Sequence, residues 1–191
     1  MNGRAHPLGA AWLRLWHWIQ GVAFVGLIIS GACMHWADSP WVPLSFGDAV
    51  SLHNGLGMVT LAAWVAFAIG NLRSGNLRHY RLRGSALRAQ LWPQVRYYAW
   101  GVFHREPEPF PARAAVKFNP AQRLAYTVVM YLLMPILLAS GTLLFFPILA
   151  PEHALGLPGL LPMAILHLSA GYLLVAFLIL HVYLTLFLHR S

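Results

Sequence analysis

The sequence predicts an all-α fold, an integral membrane four-helix bundle. Three observations carry that prediction: an apolar composition, four segments of spanning length, and basic residues confined to one set of connections. Of the 191 residues, 59% are hydrophobic and 9% charged, and the mean hydropathy is positive, which is the balance of a membrane chain and not of a soluble domain. A hydrocarbon core ~30 Å thick takes about 20 helical residues to cross. Residues 12–36, 49–70, 123–146 and 163–188 meet that length. The remainder is too polar or too short, so residues 1–191 read as a single transmembrane domain with no separate soluble part.

The first span contains Ser30-Gly31-Ala32-Cys33, a faint likeness to a lipoprotein processing site. The apolar run continues past it to Trp36, as a span does, and cleavage there would discard His17. Cys33 is the single cysteine, which excludes an intrachain disulfide, a cysteine-ligated iron–sulfur cluster and a Cys-rich zinc site. The second span follows a short acidic connection. Between spans two and three runs a long basic loop, residues 71–118. Within it, residues 85–102 mix Leu87, Leu91, Trp92, Tyr98 and Trp100 with Arg88 and Arg96, the pattern of a helix lying in the headgroup region. Pro93 is expected to break or bend that helix, and residues 106–111, with three prolines, read as an extended linker. The third span opens on Asn119-Pro120 with Gln122 at the third helical position, a helix-start pair with the makings of a capping box.

The net charge of +8 is distributed for topology. Arg4 and Arg14 precede or begin span one. Ten basic residues from Arg73 to Arg123 lie between spans two and three, and Arg190 follows span four. The opposite connections, residues 37–48 and 147–162, have no Lys or Arg but carry Asp38, Asp48 and Glu152. By the positive-inside rule both termini and the basic loop are cytoplasmic. Anionic lipid accounts for the basic surface, and no nucleic-acid partner is expected.

Five of the ten histidines, His17, His35, His53, His167 and His181, lie within or at the edges of spans. Ionisable groups at such depth suggest function. His167 and His181 are fourteen residues apart on one helix, hence on one face and separated by ~21 Å along the axis, near opposite membrane surfaces. Following the chain direction through each span, His53 joins His167 at the outer level and His17 joins His181 at the inner level. Each pair comes from two helices, as bis-imidazole ligation of two stacked, non-covalent b-type haems requires; there is no Cys-x-x-Cys-His for covalent attachment. Gly21, Gly57 and Gly171 each follow a histidine by four residues, removing the side chain that would hold a porphyrin off the helix. His181 instead has Thr185. Arg14, one turn before His17, is placed as a propionate partner. His35 shares the His17 face, near the aqueous edge, and is the alternative to His53 as outer ligand or a propionate contact.

The segments Arg14-Leu15-Trp16-His17-Trp18 and Ser51-Leu52-His53-Asn54-Gly55-Leu56-Gly57, with the His167…His181 spacing, resemble the membrane-anchored di-haem cytochrome b subunits of bacterial respiratory oxidoreductases. These include the membrane subunits of formate dehydrogenases, thiosulfate reductases and nickel–iron hydrogenases. The segment from Lys117 to Leu124, leading into residues 126–141, is most similar to the thiosulfate-reductase type. The resemblance implies a quinone site beside the inner haem, with Asn119 and Gln122 near it. It also implies iron–sulfur and catalytic partner subunits on the outer, periplasmic face. The inner end of the bundle gathers those two amides with Arg14, His17 and His181, whereas the outer connections have no basic residue.

The expected function is electron transfer across the membrane between a quinone pool (menaquinone or ubiquinone) and a redox partner. No span offers a catalytic nucleophile or a carboxylate pair, so substrate chemistry other than that of the quinone belongs to a partner. A stand-alone quinol-oxidising cytochrome feeding a soluble acceptor is the nearest alternative. A transition-metal transporter using intramembrane histidines is a rival of another class, disfavoured by the scarcity of intramembrane Asp and Glu.

Overall fold

The computed structural model describes residues 7–74, 84–110 and 119–188. Arg4, His6, Arg78, His79, Arg81, Arg83, Arg113, Lys117, His189 and Arg190, and the Arg88 side chain, lie outside that description. The described residues form six α-helices: α1 (Pro7–His35), α2 (Phe46–Arg73), α3 (Gly84–Ala99), α4 (Pro120–Val128), α5 (Met134–Phe145) and α6 (Leu160–Leu188). Four stretches are long and apolar enough to cross a membrane: Ala11–His35, Phe46–Arg73, Pro120–Phe145 and Leu160–Leu186. This is a multi-pass helical membrane protein.

Three of these stretches begin three residues ahead of the apolar runs that predict them, at Phe46, Pro120 and Leu160. Two starts have a visible cause in polar caps, which hydropathy cannot count. At the start of α2 the Asp48 amide donates to Ser45 Oγ (3.2 Å), whose hydroxyl donates to Asp48 Oδ2 (2.6 Å). At the start of α4 the Gln122 amide donates to Asn119 Oδ1 (2.9 Å) and the Asn119 amide to Gln122 Oε1 (3.2 Å), a reciprocal capping box with Pro120 at the first helical position.

The third span is not a uniform α-helix. Residues Val129–Leu133 form a π-turn joining α4 to α5. Pro135 explains its place. A proline inside a helix lacks the amide that would bond Tyr131 and crowds that carbonyl, and one wide turn just before it relieves both problems. Pro93 behaves otherwise: α3 runs through it to Ala99, so of the expected break or bend, a break does not occur. Ala89 and Pro93 are both exposed, so the carbonyl deprived of its donor is not sealed inside protein.

Contacts divide the chain into two compact units, one of residues Met1–Gly70 with Leu137–Ser191, the other Asn71–Ile136. In the first, α1 and α2 are tied by Trp16, whose indole donates to the Ala63 carbonyl (2.8 Å) and stacks on Phe67 at 4.5 Å. A two-stranded hairpin, β1 (His153–Ala154) and β2 (Leu157–Pro158), precedes α6. Its turn residues Leu155 and Gly156 both have positive φ, the twist a two-residue hairpin demands.

In the second unit α3 packs with α4 through buried polar groups. Asn119 Nδ2 donates to the Tyr98 hydroxyl (2.6 Å) and to Glu108 Oε1 (3.2 Å), and Gln94 Nε2 donates to the same carboxylate oxygen (3.0 Å). Burial raises the Tyr98 phenol above its usual ionisation range, against the lowering effect of the Asn119 bond. Arg96 and Glu106 form an exposed ion pair at 3.5 Å, a weak contribution in water. Trp92, Trp100 and Phe103 remain exposed, the aromatic surface expected of an interfacial helix.

Candidate functional site

The first unit brings the spanning histidines together in two pairs. The rings of His53 on α2 and His167 on α6 have centroids 6.1 Å apart. Those of His17 on α1 and His181 on α6 are 6.2 Å apart. Both pairs are the ones predicted by depth. His35 is not in either; its ring packs edge-on against Trp36 at 4.8 Å, and it is exposed. Metal–imidazole bonds of ~2.0–2.1 Å, with each ring centre roughly 1.2 Å beyond its nitrogen, put two axial imidazoles about 6.4 Å apart. Both observed separations are of the size two imidazoles sharing one metal ion require.

Two donors do not complete a metal's coordination. Among the described residues no three His, Cys, Asp or Glu side chains converge on a point. A pair of opposed imidazoles therefore suits a metal whose other positions are filled by a macrocycle. The surroundings fit a flat ring. A Cβ added at Gly21 or Gly57 would meet nothing within 4 Å, and one at Gly171 would only reach Leu137 Cδ1 at 4.0 Å. Both side-chain polar atoms of Gln20, and the hydroxyl of Thr60, are buried without a hydrogen-bond partner. Gln20 stands one turn from His17 and Thr60 two turns from His53, where a bound group with polar edges would be in reach. Arg14 is exposed, one turn before His17.

The two pairs are held differently. His53 Nδ1 lies 3.0 Å from Ser30 Oγ. His167 Nδ1 lies 3.0 Å from the Leu137 carbonyl and 3.3 Å from Ser140 Oγ. His17 and His181 make ring contacts only, His181 stacking on Phe177 at 5.7 Å, with no hydrogen bond to either imidazole among the described residues. Sequence reasoning gave Ser30 and Ser140 no role beside the histidines, although each precedes a glycine on a span that carries neither His53 nor His167.

Asn119 and Gln122, the predicted quinone contacts, lie in the second unit. Their carbonyl oxygens are used in the capping box and the Asn119 amide in the Tyr98–Glu108 cluster. Both therefore carry structural bonds. Tyr98, Gln94 and Glu108 are neighbours the sequence did not point to, because the loop that returns them to Asn119 has no periodicity.

Comparison with known proteins agrees with this chemistry. The family model described as prokaryotic cytochrome b561 matches residues 10–191. Over 135 residues, 71% of the chain, the sequence is 38% identical to "Putative cytochrome YdhU" of Escherichia coli (strain K12). The chain's match spans about half of that relative, 51% of its length. No solved structure matches. The chain belongs to the prokaryotic cytochrome b561 family, membrane b-type cytochromes that act in electron transfer.

Proposed function

We propose that this prokaryotic cytochrome b561 holds two b haems, one between His53 and His167 and one between His17 and His181, and conducts electrons across the membrane between a quinone pool and a redox partner. The observation that carries the reading is the pair of 6.1 Å and 6.2 Å ring separations on residues whose places along the helices put them near opposite ends of the spans. Bound haem supplies one-electron chemistry. The chain would supply imidazole nitrogens from the two histidine pairs, glycine clearance at Gly21, Gly57 and Gly171, and an apolar surround that slows competing reactions. Arg14 offers a cation to a propionate of the group at His17.

The basic connection favours a cytoplasmic site for both termini and the loop of residues 71–118, in a bacterial inner membrane. The quinone then reacts at the inner end, near Asn119 and Gln122, where the polar cluster of Gln94, Tyr98 and Glu108 offers donors and a carboxylate to handle protons. Iron–sulfur and catalytic subunits dock at the other face. The family resemblance supports this arrangement.

Purified protein in vesicles provides the test. A short-chain quinol should reduce the bound haem, seen as a rise in its reduced absorption bands. Gln122→Leu and Asn119→Ala should slow that reduction at unchanged haem content. Equal rates in both variants, in stable protein, would move the quinone elsewhere. No reduction by any quinol would remove the quinone from the account.

A further inference from the structure

Two short segments on different helices treat the His53–His167 pair alike. On α1 the run is Leu27-Ile28-Ile29-Ser30-Gly31; on α5 it is Leu137-Leu138-Ala139-Ser140-Gly141. Each is Leu-x-x-Ser-Gly. In each, the serine hydroxyl turns back to the leucine carbonyl, at 3.3 Å from Ser30 to Leu27 and 3.1 Å from Ser140 to Leu137, and Ser30 also donates to Gly26 at 2.7 Å. In each, the serine oxygen approaches the Nδ1 of one histidine of the pair, and at His167 the Leu137 carbonyl bonds that same ring as well. A Cβ on Gly31 would lie 3.4 Å from His53 Cε1, and one on Gly141 only 2.9 Å from His167 Cε1.

The chemistry of these partners fixes where the imidazole proton sits. A carbonyl can only accept, so the bond to Leu137 makes His167 Nδ1 the protonated nitrogen. Ser30, with its hydroxyl directed to the Gly26 carbonyl at 2.7 Å, has its oxygen placed to accept from His53 Nδ1–H. In both rings Nε2 keeps its lone pair, free for a metal. A hydrogen bond from the far nitrogen orients a ligating imidazole and raises its basicity. The glycine lets the helix backbone lie against the ring edge, and a methyl group there would push the ring aside.

We propose that the twin Leu-x-x-Ser-Gly segments are a clamp for the two histidines of one haem, positioning their rings and strengthening them as donors, while the His17–His181 haem has no counterpart among the described residues. Ser30 and Ser140 are positioning residues; they touch the ligands and not the iron. The inference rests on the haem assignment above. Its consequence is a difference between the two haems: stronger donors stabilise ferric iron, so the clamp lowers the potential at His53–His167 and leaves the other untouched.

The test uses purified full-length protein with Ser30→Ala, Ser140→Ala, the double variant and Gly141→Ala. Electron paramagnetic resonance of the oxidised haems and a spectroscopic redox titration are the readouts. His53→Ala serves as the control that identifies which signal belongs to the clamped haem. Ser30→Ala should raise that haem's midpoint potential and alter its g values. Ser140→Ala should do so less, because its bond is longer and Leu137 still holds the ring. The other haem should be unchanged in all. Gly141→Ala should displace the His167 ring and give the largest change in g values or loss of that haem. If His53→Ala keeps both haems, the site assignment fails. If His53→Ala loses one haem while the double serine variant and Gly141→Ala both leave its g values and potential unmoved, the assignment stands and the clamp is wrong.

Discussion

An imidazole that binds iron through one nitrogen must place the other, and the cost of leaving a buried N–H unpaired is about 1–3 kcal/mol. His53 and His167 meet that demand inside the protein, through Ser30 and the Leu137 carbonyl. His17 and His181 do not, among the described residues. Replacement of a histidine should therefore remove haem from its own pair only. His167→Ala should leave one haem per chain, and so should His17→Ala, each losing a different electron paramagnetic resonance signal. His35→Ala should lose neither, since His35 packs on Trp36 apart from both pairs. The pairing itself was legible, because histidine depth follows from helix rise and chain direction. The clamp was not: Ser-Gly inside an apolar run reads as ordinary helix packing until the facing ring is seen.

At the scale of the element, the third span shows what hydropathy can and cannot supply. Its apolar run gives its length, and Asn119-Pro120 with Gln122 gives its start. Asn119→Ala should destabilise the chain by roughly 1 kcal/mol through loss of the cap, and by more where the Tyr98 and Glu108 bonds are also lost. Asn119→Asp retains the Oδ1 cap and should recover much of the helix start but not the amide donations. Thermal unfolding in detergent, monitored by helical ellipticity, measures both. The π-turn at Val129–Leu133 was not foreseen, although Pro135 in mid-span was its signal. The α3 helix persists through Pro93 because an exposed carbonyl can find water or headgroups. Propensity alone places a break there, and exposure decides that none is needed.

For the whole molecule, the distribution of basic residues predicts an orientation, and in the proposed function that orientation decides which haem would face which partner. In a Cys33→Ala background, single cysteines at Asp48 or Glu152 should react with an impermeant thiol reagent from outside intact cells. Cysteines at Glu108 or Arg96 should react only after the membrane is opened. The reverse pattern would invert the electron path. The four spans were legible because each is a continuous apolar run, and the hairpin before α6 was not, because a two-residue turn through Leu155-Gly156 leaves almost no pattern in so short a loop.

The account stands most directly on haem stoichiometry. Haem-to-protein ratio and low-temperature electron paramagnetic resonance should be measured together on the wild type, His53→Ala and His181→Ala. Two low-spin, six-coordinate haems in the wild type, with one left in each variant and a different one in each, is the predicted result. A wild type with one haem per chain, or loss of the same signal in both variants, would contradict the two-pair assignment.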